Sequence, residues 1–265
     1  MKNLYAIMIA VSLLLAGCGM SEASKGDTAQ TGHSEAIRVA VIDSGFSQDV
    51  EWPVENGWNY IDDTQDTLDR TGHGTAVGAA VFGLAPTAVQ IPLKISDPDH
   101  MTMPEMVIRA IYDAVDLYGC HVINISGSLP DSGELEDAVA YAEDQGVIVV
   151  SAAGNQGDSY KKDKIYYPAG YDTVIGVGTV EEDGTVSDYS QKNTSVFVTC
   201  VSGGRKGTSY SAAHVSGVAA QKKWESPEAF RDWLRREVTD KGPEGYDVEY
   251  GWGVLDIEKR FSEEE

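Results

Sequence analysis

HVINISGSLPDSGELEDAVAYAEDQGVIVV, residues 121–150, reads as one strand–helix–strand unit. His121–Ile125 is a short apolar run of β-favouring residues. Ser132 stands where a helix cap belongs, because its hydroxyl can accept a hydrogen bond from a backbone N–H of the first turn. Behind it Leu135, Ala138, Val139 and Ala142 recur at helical spacing, and Gly146 supplies the stop. Val147–Val150 is then apolar at every position. A strand apolar on both faces is covered on both faces, and two such strands joined through a helix pair in parallel.

The same grammar extends outward. Ile37–Ile42 is an apolar run ending in Asp-Ser-Gly, and Val89–Ile95 and Val174–Val177 are further strand candidates. Glu105–Tyr118 places apolar residues at 107, 110, 111, 114, 117 and 118, a helical spacing that stops at Gly119. Ser226-Pro227 opens a helix with Phe230, Trp233, Leu234 and Val238 on one face. The expected fold is α/β and three-layered: a mostly parallel central sheet with helices on both faces. With 265 residues, 42% of them hydrophobic, the chain can bury one sizeable core, assigned to residues 36–265 with an acidic tail at Glu263–Glu265.

Residues 1–17 read as a signal peptide. Lys2 precedes an apolar run, Leu4–Ala16, too short to span a bilayer comfortably. Leu15-Ala16-Gly17-Cys18 resembles the bacterial lipobox, which implies lipid modification of Cys18; an ordinary secretory signal cut near Gly17 is the alternative. More than one lipid chain on Cys18 would anchor the protein stably at the outer face of the cytoplasmic membrane. Residues 18–35, rich in Ser, Gly, Thr, Ala and Glu, read as a tether from that anchor.

Forty-two acidic against 20 basic residues give a net charge of −22. Such a surface repels nucleic acid and anionic lipid headgroups, and it either favours basic substrates or reflects a salty or alkaline medium. Nothing signals self-association, so a monomer is expected. Besides Cys18 only Cys120 and Cys200 are present, with no metal spacing; two buried thiols are the default and a disulfide between them is left open. His33 falls in the tether, and His121 and His214 read as structural.

Three polar residues stand out. Asp43 follows the first strand directly, and functional groups in parallel sheets gather at carboxyl ends of strands. His73, in Thr71-Gly72-His73-Gly74-Thr75, opens a helix of small residues; the positive end of the helix dipole is expected to disfavour its cation and keep it neutral as a base. Ser209, in Gly207-Thr208-Ser209-Tyr210-Ser211-Ala212-Ala213-His214-Val215, is either a helix cap or a nucleophile set among unpaired backbone N–H groups.

Together these segments, in the order Asp, His, Ser, resemble the subtilisin-like serine proteases; other triad families carry the trio in a different order. Ser151–Gly157 is similar to that family's oxyanion loop, with Asn155 as side-chain donor, and Gly83–Pro86, Val122–Ser126, Tyr167–Ala169 and Tyr250–Asp256 agree. The resemblance implies a serine endopeptidase working through an acyl-enzyme, with catalytic Asp43, His73, Ser209 and Asn155 and a protein or peptide substrate. It implies that the substrate lies extended between His100-Met101-Thr102 and Ser126-Gly127-Ser128. Its primary pocket would then involve Ala153, Gly154 and Tyr166. Tyr166 stands where many relatives carry a small residue, so small side chains are expected there. No cofactor is implied; the calcium loop that many relatives insert after the helix opened by His73 is absent between Val81 and Pro86, and calcium bound by acidic residues elsewhere is left open. No pro-domain is visible, which suggests a separate inhibitor or chaperone protein. Ala213 stands where relatives carry proline. That departure motivates the alternative of a catalytically degenerate pseudoprotease that binds peptides or partners through the same cleft.

Overall fold

The computed structural model describes residues 36–257. The signal segment, Cys18, the tether and residues 258–265 lie outside the described residues. In chain order the elements are β1 (Arg38–Asp43), β2 (Trp58–Asn59), α1 (His73–Leu84), β3 (Val89–Lys94), α2 (Pro104–Asp116), β4 (Val122–Ile125), α3 (Gly133–Asp144), β5 (Ile148–Ala152), β6 (Ile175–Val180), β7 (Val198–Val201), α4 (Thr208–Ala219), α5 (Pro227–Glu237) and β8 (Val254–Leu255). The strands form one eight-stranded sheet in the order β2-β3-β1-β4-β5-β6-β7-β8. All its pairings are parallel.

Alternation along each strand divides the core in two, because successive side chains point to opposite faces. Val39, Val41, Val122, Ile148 and Val150 pack with α1, α4 and α5 on one face. Ala40, Ile42, Ile123, Ile125 and Val149 pack with α2 and α3 on the other. The expected three-layer α/β architecture is therefore the observed one. Ser132 caps α3 as expected, accepting a hydrogen bond from Leu135 N at 3.2 Å.

Some boundaries differ from the sequence reading. Strands β2, β7 and β8 have 2, 4 and 2 residues, too short to show a period of their own. The second helix ends at Asp116, so Leu117, expected on its apolar face, is 68% exposed. Cys120 and Cys200 are free thiols in the two clusters on opposite faces of the sheet, which settles the open question of a disulfide between them. Burial pushes both thiols up to about 12, so neither is a nucleophile at neutral pH.

Two glycines set the geometry that matters. A Cβ at Gly74 would fall 2.4 Å from Gly45 O, so the start of α1 presses directly on the turn that leaves β1. A Cβ at Gly217 would fall 2.8 Å from Leu84 Cβ and 3.0 Å from Val81 O, so α1 and α4 pack almost backbone to backbone. Since His73 opens α1 and Ser209 lies in the first turn of α4, that close approach fixes the spacing of their side chains.

Candidate active site

Strand order reverses at β1, whose neighbours β3 and β4 are reached by chain running in opposite directions, and the crevice of a parallel sheet opens at such a point. Asp43 ends β1 there, only 5% exposed. Its Oδ1 accepts hydrogen bonds from Ser44 N at 2.7 Å and from His73 Nδ1 at 2.8 Å, across 30 residues of chain. The Nδ1 bond fixes the tautomer, leaving Nε2 unprotonated in the neutral ring and open to the cleft.

The dipole expectation for His73 does not hold. The hydrogen bond to Asp43 raises its pKa, burial opposes this, and the charges of Asp43 and Asp69 add to the rise. A direct partner at 2.8 Å outweighs partial charges on a helix end. For a general base at this position the sign follows: only the neutral imidazole can take a proton, and that form is lost as pH falls through a pKa above the usual 6.5. The acid limb of kcat/KM against pH should have its midpoint above 6.5, and NMR titration of His73 should give the same midpoint.

A second carboxylate, which the sequence reading missed, builds this corner. Asp69 Oδ1 accepts from Ser44 Oγ, Thr71 N and Gly72 N at 2.9 Å each. Its Oδ2 accepts from Thr75 N at 2.9 Å and Thr75 Oγ1 at 2.6 Å. Burial alone would raise its pKa, but the bonds from Thr75, Thr71 and Ser44 more than cancel that and bring it down to about 2. Asp69 thus stays ionised and clamps the turn that delivers His73. Its only signal in the sequence was position, four residues before the histidine and with Thr67 and Thr71 two residues to either side. Lys94 was missed as well: it lies beside Asp43 in register, is 3% exposed, and donates to Ser44 O at 3.1 Å and Leu68 O at 2.9 Å. It also pairs with Asp97 at 3.1 Å.

Ser209 is the second residue of α4, behind a glycine cap, so its hydroxyl does not serve as the cap. Its Oγ faces Ser126 O at 3.5 Å and makes no hydrogen bond to His73. Its backbone is held from below: Ser126 Oγ donates to Ser209 O at 3.2 Å, and Asn124, bonded to both Ser126 and Ser216, ties β4 to α4. Asn155 is exposed. Its Oδ1 accepts from Thr208 N at 2.8 Å and Thr208 Oγ1 at 3.0 Å. With the oxygen so engaged, the amide Nδ2 is the atom left to donate.

Thr102, Ser126, Gly127 and Ser128 line a groove of about 250 Å³ together with Asp43 and His73, over a floor of Ile42, Ile95, Val107, Ile125 and Leu129. His100 and Met101 do not line it; both are exposed, Met101 to 83%. Ala153, Gly154 and Tyr166, expected in the primary pocket, do not line this groove either; all three are buried in the segments that flank Asn155 in sequence. A Cβ at Gly154 would fall 2.8 Å from Tyr166 Cδ2. The Tyr166 hydroxyl donates to Gln156 Oε1 at 3.0 Å, and Lys164 covers its ring at 4.8 Å. The ring is therefore locked against the backbone of Gly154. Among the described residues no group of three or more His, Cys, Asp or Glu side chains is arranged to hold a metal ion.

Parallel-sheet architecture with an Asp–His pair at the switch point and a serine in the first turn of a helix defines a serine protease of the subtilisin-like class. Residues 34–253 match the model of the Subtilase family, and the chain belongs to that family. It is 29% identical over 248 residues to Subtilisin BL of Lederbergia lenta, covering 84% of this chain and 89% of that one. It is 28% identical over 249 residues to the Minor extracellular protease Epr of Bacillus subtilis (strain 168), covering 83% of this chain but spanning only 37% of that protein's length. Among solved structures, a lanthipeptide protease superimposes with a TM-score of 0.75 at 26% identity, covering 86% of this chain and 88% of the other. An epidermin leader peptide processing serine protease from Staphylococcus aureus shares the fold, with a TM-score of 0.71 at 21% identity over 84% and 74% of the two chains. No helix among the described residues is long and apolar enough to cross a membrane.

Proposed function

We propose that the chain is an active endopeptidase in which Ser209 is the nucleophile, His73 the base and acid, Asp43 the orienting carboxylate and Asn155 the oxyanion donor. The observation that carries this reading is the 2.8 Å bond from His73 Nδ1 to Asp43, which leaves Nε2 as the free ring nitrogen of a histidine lining the same groove as Ser126, the residue Ser209 contacts. In this reading Ser209 Oγ turns from Ser126 O to Nε2 when substrate binds; such bonds are commonly long or misaligned in its absence. Ser209 Oγ then attacks the carbonyl carbon while its proton passes to Nε2. The oxyanion takes hydrogen bonds from Asn155 Nδ2 and the Ser209 backbone N–H. His73 returns the proton to the leaving amine, and an acyl-enzyme remains. Water attacks it with His73 again as base, and Ser209 is restored. No step of this chemistry uses a metal ion.

A fluorophosphonate probe tests the reading. Covalent labelling of the wild-type chain, lost on Ser209→Ala, supports it. A folded wild-type chain that stays unlabelled and cuts no peptide favours the pseudoprotease alternative, whose motivation is Ala213.

The locked Tyr166 ring favours small side chains before the cut, and a narrow pocket suits limited processing of a dedicated precursor rather than broad degradation. Likeness to a lanthipeptide protease supports the same choice. Tyr166→Ala should open the pocket and move the preferred residue before the cut toward Phe and Leu in a peptide library. A wild-type preference for large aromatic side chains would reject this pocket assignment.

The same proposal places the enzyme at the outer face of the cytoplasmic membrane through lipid-modified Cys18, as a monomer restrained by a separate protein. Cys18→Ala should shift it from the membrane fraction to the soluble fraction and abolish palmitate incorporation; unchanged fractionation would leave the anchor without support.

A further inference from the structure

Arg38, Arg70, Lys94, Arg109, Arg231 and Arg235 pair with carboxylates, while other surface cations, Lys161, Lys192 and Lys241 among them, form no ion pair among the described residues. Arg205 and Lys206, the fourth and third residues before Ser209, are exposed and form no ion pair among the described residues. Each is instead stacked on a tyrosine. The Arg205 guanidinium lies 5.5 Å from the ring of Tyr210, and the Lys206 ammonium 5.1 Å from the ring of Tyr189. Both rings are tied to the catalytic segment. Tyr210 packs on the His73 imidazole with centroids 5.7 Å apart, and the Tyr189 hydroxyl accepts a bond from Gly207 N at 3.2 Å. Stacking of this kind holds a long cationic side chain extended, so less freedom is lost when it binds an anion.

Arg205, Lys206 and Tyr189 line a second groove, of about 580 Å³. Its lining shares no residue with the 250 Å³ groove beside Ser126. Ser209 stands in chain between the Arg205-Lys206 pair and the Tyr210 ring that meets His73, the group that protonates the leaving amine. Because Arg205 stacks on the Tyr210 ring and that ring packs on His73, a peptide whose acyl half occupies the smaller groove can run its leaving half past Tyr210 toward Arg205 and Lys206. The larger groove also has acids, Asp158, Glu181, Glu182 and Asp188. Glu181 and Glu182 belong equally to the next depression along, beside Lys241, and none of the four comes within ion-pair distance of either cation. The end of the groove nearest the reaction is thus basic in a protein of net charge −22, opposite to the substrate charge that the bulk composition favours.

We propose that Arg205 and Lys206 form a specificity site that selects substrates carrying aspartate or glutamate at the first or second position after the cleaved bond. This rests on the endopeptidase reading above. A planar guanidinium meets a carboxylate through two parallel N–H···O bonds, and the neighbouring ammonium adds a point charge. Because both are at the surface, the selection is electrostatic and weakens with salt.

The test uses fluorogenic peptides with one common acyl half and Glu, Gln or Lys at each of the two positions after the cut. The full-length enzyme is assayed beside a fluorophosphonate titration of Ser209. The Glu peptide should exceed the Gln peptide in kcat/KM by about tenfold at low ionic strength, and the ratio should shrink toward one at about 1 M salt. Arg205→Glu combined with Lys206→Glu should reverse the order, so that the Lys peptide leads, whereas Arg205→Lys should keep the acidic preference. Labelled enzyme that cuts the Glu and Gln peptides equally, or prefers Lys, overturns the specificity site alone. A chain that is neither labelled nor active overturns the endopeptidase reading, and this inference with it.

Discussion

Ser209→Ala is expected to lower kcat by on the order of 10⁶-fold with little change in KM or in thermal stability. The size follows from the division of labour at the site. His73 and Asp43 remain hydrogen-bonded at 2.8 Å in the variant, but a base with no nucleophile to deprotonate contributes nothing. For the same reason Ser209→Ala combined with His73→Ala should cost no more than either alone, because the two act as one unit. Asp43→Asn should cost about 10⁴-fold, since an amide there favours the wrong tautomer of the ring. Stability should be insensitive because Ser209 Oγ makes only the 3.5 Å contact with Ser126 O, and alanine is at home in a helix. Single-turnover kinetics and a melting curve on the purified variants decide it. A Ser209→Ala enzyme retaining even a hundredth of wild-type kcat would remove Ser209 as nucleophile.

Asn155→Leu is expected to cost about 10²–10³-fold in kcat, again with KM nearly unchanged, because an oxyanion donor acts on charge that exists only in the transition state. What makes the prediction specific to this chain is the orientation of the amide. Thr208 N and Oγ1 both donate to Asn155 Oδ1, at 2.8 and 3.0 Å, and Thr208 Oγ1 itself accepts from Gly154 N at 3.2 Å. The threonine hydroxyl therefore links the loop after β5 to the first turn of α4 and, by engaging Oδ1, leaves Nδ2 as the atom free to donate. Thr208→Val removes that link and should lower kcat by about tenfold, whereas Thr208→Ser keeps the hydroxyl and should restore most of it. Equal loss in the Val and Ser variants would mean that packing, not the hydrogen bond, matters at this position. Asn155→Asp should be at least as damaging as the leucine change, since a carboxylate cannot donate and repels the oxyanion.

Much of this was legible in the chain because it is local. The β-α-β unit at 121–150 states its strands, cap and stop within thirty residues, and the structure keeps all three, moving boundaries by one or two positions. Asp43, His73 and Ser209 were legible because each sits in a motif whose neighbours are constrained by the same chemistry: a turn after a strand, a glycine against backbone, a helix start. Leu117, whose spacing put it on a helical face, was misplaced because Gly119, at φ 57°, ends the helix before that residue can turn inward. The dipole argument for His73 failed for a related reason. A helix end is visible in sequence, but the partner that overrides it arrives from 30 residues away.

The sequence by itself determined the class of fold, the residue types available for chemistry and the order in which they come, because periodicity and motif are properties of neighbours along the chain. Only the tertiary structure decided that Asp69 and Lys94 brace the corner holding Asp43 and His73, and that Cys120 and Cys200 face opposite ways. It alone packed Tyr166 against Gly154 and left Arg205 and Lys206 stacked on tyrosines, with no ion pair among the described residues. Each of these depends on which side chains meet across the sheet and on how far apart α1 and α4 are held, and close packing between distant segments sets those distances, which no local pattern encodes.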